Sequence, residues 1–116
     1  MRRPAAPRPI KVMADYGCHP LWWDSAHPAW TAGAGAVGEI DPGSLGLTPA
    51  LRAALRDWAA RYDRNLDRDD PAATPSPDPA FDAAGRELAR RLAAELGAGA
   101  TVRYWRDPVA DGSGTP

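Results

Sequence analysis

The side chains best able to do chemistry are gathered in one run, Asp15-Tyr16-Gly17-Cys18-His19-Pro20-Leu21-Trp22-Trp23-Asp24, with His27 and Trp30 close behind. An acid, a thiol, an imidazole and two indoles within ten residues allow three kinds of site. Cys18, His19, Asp24 and His27 are all zinc-ligand types, and together they would make a four-coordinate set. The spacing speaks against it. Paired C-x-x-C or H-x₃-H ligands are absent, and adjacent residues on an extended backbone face opposite ways, so Cys18 and His19 would not converge on one ion. A second possibility is covalent catalysis, with Cys18 as nucleophile, His19 or His27 as base, and Asp15 or Asp24 orienting the base. That chemistry needs the thiolate, and therefore a thiol pKa lowered by its surroundings. A lone cysteine, however, is most often a small buried apolar group. The third possibility is structural: Tyr16, Leu21, Trp22 and Trp23 close the open end of a core, and Gly17 and Pro20 shape a tight turn.

The indoles raise a binding role. There are five tryptophans in 116 residues. Trp58 and Trp105 fall on core-facing positions. Trp22, Trp23 and Trp30 are expected in a loop, where exposed indoles anchor partners. A contact surface is therefore expected over Asp15, Tyr16, His19, Trp22, Trp23, Asp24 and Trp30. The string Gly33-Ala34-Gly35-Ala36-Val37-Gly38 matches G-x-G-x-x-G, but no apolar strand precedes it and Asp41-Pro42-Gly43 follows where a helix should open. It reads as a loop.

These residues need elements to hold them. Ile10 to Ala14 reads as a strand, and Thr101 to Trp105 as a second, rich in β-formers. Ala36 to Ile40 is a possible third, weakened by glycine. Thr48 is an N-cap with Pro49 at the first helical position. Leu51, Leu55, Trp58, Tyr62 and Leu66 then form one apolar stripe, opposite Arg52, Arg56, Asp57, Arg61 and Arg64. Asp78-Pro79 repeats the signature for a second helix, with Phe81, Leu88, Leu92 and Leu96 on one face. Gly97 closes it in the left-handed conformation. Gly85, inside that helix, is unfavourable by about 1 kcal/mol against alanine unless close packing requires it. Residues 67–76 form an acidic, proline-rich surface loop, giving an acidic rim at Asp63, Asp67, Asp69 and Asp70. Arg52, Arg56, Arg86 and Arg90 would make a basic strip if the helices lie side by side.

The expected fold is α+β: a two- or three-stranded sheet, order β-(β)-α-α-β, with two helices packed on one face. Residues 1–9 read as a flexible arm, 10–106 as one domain and 107–116 as a flexible tail.

Composition narrows the function. Hydrophobic residues are 44% and charged ones 25%, as in ordinary globular chains. With 14 basic and 15 acidic residues the net charge is −1, which argues against a dedicated nucleic-acid binder. A single cysteine allows no internal disulfide, and no run approaches the roughly 20 apolar residues of a membrane span. A cytoplasmic location without membrane attachment follows.

The opening Ile10-Lys11-Val12-Met13-Ala14-Asp15-Tyr16-Gly17-Cys18-His19-Pro20-Leu21-Trp22, the middle Leu51, Leu55, Trp58, Tyr62, Asp63, and the Asp69-Asp70-Pro71 turn resemble a group of small uncharacterised actinobacterial proteins over roughly residues 10–105. The resemblance implies no catalytic residue and no cofactor. Small proteins of this sort are often immunity proteins, antitoxins or adaptors. The expectation is thus a non-enzymatic, immunity- or antitoxin-like binding module that docks a protein partner, with Trp22 and Trp23 as anchors and the acidic rim as guide. The alternatives are a small thiol- or metal-dependent enzyme using Cys18 and His19, and a small-molecule sensor with a tryptophan-lined pocket.

Overall fold

A computed structural model describes residues 8–24, 38–65, 69–70, 72 and 78–108. Four strands, β1 (Arg8–Val12), β2 (Leu21–Trp23), β3 (Glu39–Ile40) and β4 (Ala100–Tyr104), form one sheet in the order β3-β2-β1-β4. β2 runs antiparallel to β1 and to β3, while β4 lies parallel to β1. The helices are α1 (Pro49–Arg64) and α2 (Pro79–Leu96), and a 3-10 turn over Pro42–Leu45 leads from β3 toward α1. The α+β class is as expected, with one strand more. β2 is that addition, at a place read as loop: three residues are too few for a periodic signal, and Pro20 ahead of them reads as a turn.

Alternation decides which side chains meet the helices. Ile10 and Val12 are fully buried and pair with Val102 and Tyr104 on one side and with Trp23 and Leu21 on the other. That face packs against Leu51, Leu55 and Trp58 of α1 and Phe81, Leu88 and Leu92 of α2. Fully burying each of these side chains contributes about 1.5–3 kcal/mol. The opposite face carries Lys11, Trp22 and Arg103.

Caps fix where the helices begin. Thr48 Oγ1 accepts from Leu51 N–H at 3.3 Å, and Asp78 Oδ1 from Phe81 N–H at 2.7 Å. Thr48 also donates its amide and its hydroxyl to the Glu95 carboxylate, at 2.8 and 2.7 Å, which ties the start of α1 to the end of α2. These two bonds hold the Glu95 carboxyl below its ordinary range.

Gly85 has the packing reason its helical position demanded. A Cβ there would lie 2.8 Å from Trp58 Cζ2 and closer still to the Tyr104 ring. Around it Trp58 stacks on Phe81 with centroids 4.6 Å apart, meets Tyr104 edge-on at 6.1 Å, and donates Nε1–H to the Phe81 carbonyl at 3.1 Å.

Several expected boundaries move. Arg8 and Pro9 belong to β1 rather than to an arm, and Asp107 is held by Arg86, so residues on both sides of 10–106 take part in the described fold. Gly97 has a positive φ of 62° but a ψ of −144°, so it ends α2 without adopting the left-handed helical conformation. Leu66 and most of the 67–76 loop lie outside the described residues, as do Gly33 to Val37. Among the described residues, no helix is long and apolar enough to cross a membrane.

Candidate functional site

The segment rich in chemistry becomes one wall of a groove of about 710 Å³. Gly17 to Pro20 form that wall, Glu39, Asp41, Pro42 and Gly43 one end, and the outer side of α1 the other wall. On α1 the lining residues include Pro49, Arg52, Arg56, Ala59 and Asp63, spaced by three or four so that they share one side of the helix.

The loop from Asp15 to Pro20 is fastened at five points. Met13 N–H donates to Pro20 O at 2.9 Å and Cys18 N–H to Asp15 O at 3.2 Å, closing the turn at Gly17, whose φ is 71°. Gly17 N–H donates to Asp63 Oδ1 at 3.2 Å, binding the loop to α1, and His19 N–H donates to Glu39 Oε2 at 2.7 Å, binding it to β3. The Tyr16 ring stacks on Tyr62 with centroids 4.6 Å apart. Tyr62 in turn leans on Phe81 at 5.8 Å and meets Trp105 edge-on at 6.4 Å, so the loop rests on the core through a chain of rings. Burial, followed by its interaction with Tyr16, raises the Tyr62 phenol above its ordinary value.

Cys18 is only partly exposed, and its thiol is pushed up, first by desolvation and then by the Glu39 and Asp15 carboxylates. Its Sγ donates to the Tyr16 carbonyl at 3.6 Å rather than to an imidazole. That is the opposite of an activated nucleophile. Asp15 is exposed, and its carboxylate accepts from Tyr16 N–H at 2.8 Å.

Asp24 lies elsewhere. Its side chain is buried, and both oxygens are held at 2.8 Å by Arg103 Nε and Nη2, across β1 on the face of the sheet away from the helices. Arg103 Nη1 reaches the carbonyls of Trp105 and Asp107, at 3.2 and 2.8 Å. Asp24 is therefore a buried counter-ion, and the set Cys18, His19, Asp24 is not assembled. Among the described residues, no three His, Cys, Asp or Glu side chains are placed to hold a metal ion. His27 and Trp30 fall outside the described residues.

The tandem tryptophans separate. On β2 neighbouring side chains point to opposite faces. Trp23 packs at the core margin beneath Arg8, whose guanidinium lies 5.5 Å from the ring centroid, while Trp22 donates Nε1–H to Met13 O at 3.1 Å on the other face. Neither lines the groove, so a single indole patch does not form.

With the domain and its groove in view, one comparison is decisive. The family model described as Serratia CdiI immunity protein-like matches residues 8–107. The chain belongs to that family. The matched span runs from the first residue of β1 to the Asp107 carboxylate that Arg86 holds, and so covers every element of this immunity-protein-like fold. Curated proteins yield no match.

Residue types alone did not single out Glu39, Asp41, Ala53 or Ala60 of the immunity-like chain as groove residues. The α1 members had a signal: Pro49, Arg52, Arg56, Ala59 and Asp63 form a second helical stripe beside the apolar one. Asp63, read as part of an outer acidic rim, folds onto Gly17 instead. The basic strip divides in two. Arg52 and Arg56 line the groove, whereas Arg86 and Arg90 face β4 beside Thr101 and Asp107.

Proposed function

We propose that this chain is an immunity protein that neutralises a protein toxin by docking it, acting by binding and not by catalysis. The observation that carries the reading is the family match over residues 8–107. The site chemistry agrees with it: a thiol pushed up by desolvation and by nearby carboxylates, with Glu39 and Asp63 holding backbone amides, suits a shaped surface better than a reaction centre. The contact face is the groove between the Asp15–Pro20 loop and α1, with Tyr16 and His19 at its rim, in place of an anchor built on Trp22 and Trp23. The loop's five fastenings favour binding, because a surface already in its bound shape loses little conformational entropy on docking. The encounter takes place in the cytoplasm, where a fold with one cysteine draws nothing from disulfides.

The test is survival. Toxin domains from the same genome, each lethal when expressed alone, are co-expressed with this chain, and the rescued pair is purified by size exclusion. Rescue together with a stable complex is the expected result. Rescue without any complex would mean that protection does not come from docking.

A further inference from the structure

We infer that the groove recognises an acidic segment of the toxin through Arg52 and Arg56; this rests on the immunity reading above. The argument begins with which groove charges are already in use. Glu39 Oε2 accepts from His19 N–H at 2.7 Å, Asp41 Oδ1 from Gly43 N–H at 2.9 Å, and Asp63 Oδ1 from Gly17 N–H at 3.2 Å. Each of the three carboxylates holds a backbone amide through one oxygen. The two guanidiniums are not so engaged. Arg52 and Arg56 are exposed on the groove wall, and among the described residues neither has an ion pair or a side-chain hydrogen bond. Elsewhere Arg86, Arg90, Arg103 and Arg106 each close on a carboxylate.

Spacing gives the ligand its shape. Residues four apart on a helix have Cβ atoms about 5–6 Å from one another. Two carboxylates one turn apart on a partner helix, or two residues apart on one face of a partner strand, meet that spacing. Each guanidinium fork takes a carboxylate through two parallel hydrogen bonds. Between and beyond the arginines the floor is Ala53, Ala59 and Ala60, small enough to let a partner backbone come close. The wall from Pro49 to Asp63 runs about 21 Å at 1.5 Å per residue, long enough for such a segment to lie along it.

Two other occupants fit less well. A nucleic-acid backbone brings one negative charge about every 1.7 Å of duplex, and would run its phosphates past Glu39, Asp41 and Asp63. A second copy of this chain, docked face to face, would offer Arg52 and Arg56 the groove carboxylates Glu39, Asp41 and Asp63, which already hold backbone amides. Two discrete carboxylates need only the Arg52 and Arg56 forks, and no unbroken row of charge passes Glu39, Asp41 and Asp63.

The experiment uses the intact chain and the toxin it neutralises. Arg52→Glu/Arg56→Glu is compared with the unmodified chain by calorimetric titration and by cell survival, with circular dichroism to verify the fold. A loss of affinity of about 100-fold is expected, in keeping with the energies of close charge pairs at interfaces. Reversing the two facing carboxylates of the toxin to arginine should restore binding. Unchanged affinity in the double variant overturns the groove assignment while leaving the immunity reading intact. Failure of the unmodified chain to bind or protect overturns the immunity reading itself. A fluorescent 20-base-pair duplex serves as control: if it binds the unmodified chain and not the variant, the groove reads phosphate and the proposal fails.

Discussion

At the β4 end, Arg103 closes on Asp24, Arg86 on Asp107, and Arg106 on Asp82, the carboxylate that also accepts from the Tyr104 hydroxyl at 2.6 Å. On the α1 wall the pattern reverses: the carboxylates hold amides, and Arg52 and Arg56 remain exposed without partners among the described residues. The first region uses charge to fix shape. Arg103 spends its guanidinium on one carboxylate and two carbonyls, which offsets the loss of hydration around a buried Asp24. The second keeps two hydrated cations on a prepared surface, where they do nothing evident for the fold. The difference separates charge kept for stability from charge available for recognition.

The contrast can be broken most readily at Asp24. Asp24→Ala leaves Arg103 facing an emptied site, and breaking a buried pair from one side costs about 3–5 kcal/mol, read as a lower urea midpoint. A loss below about 1 kcal/mol would show that the pair does not hold the sheet. Gly85→Ala is next: the new methyl group must displace Tyr104 or Trp58, and over-packing should outweigh the gain in helix propensity, for a net loss of about 2 kcal/mol.

Glu95→Gln probes the clasp on Thr48 through pH. The folded-state carboxyl lies below its ordinary value of 4.5, so its contribution is present above that value and lost as the pH falls through the lowered one. The variant should therefore show a shallower loss of stability below about pH 4.5 than the parent. Identical acid limbs would show that the clasp carries no proton linkage. The smallest effect is expected on the other side of the comparison. Arg52→Ala/Arg56→Ala should change stability by no more than about 0.5 kcal/mol, as for exposed side chains without partners. A loss of 2 kcal/mol would erase the distinction between the two regions.

How much of this was legible in the residues depended on the length of each signal. Two helices with cap, proline and a repeated apolar stripe were readable to within a residue or two, as were the first and last strands, β1 and β4, and the packing role of Gly85. β2 was not, because Leu21-Trp22-Trp23 has no period to detect and its strand character comes from pairing with β1. Gly17 to Pro20 of the chemistry-rich run became a groove wall that residue types did not foretell, and other members dispersed: Asp24 went to Arg103, and Trp22 and Trp23 to opposite faces. Such fates are settled by strand register and by partners distant in sequence. Glu39 and Asp63 show the same limit, since their role appears only when β3 and α1 arrive on either side of the loop.

The parallel seam between β1 and β4 has a consequence in time. Its register sets Arg8 against Ala100 and Val12 against Tyr104, so β1 has one edge paired by nearby β2 and the other only by a strand that follows both helices. On the ribosome, α1 and α2 can form as they emerge, but the central strand keeps an open edge until β4 is released. Contacts this distant in sequence slow folding, because loop closure comes before any reward. A chain lacking β4 would therefore leave one edge of β1 open and the packing of Tyr104 against Gly85 and Trp58 unmade.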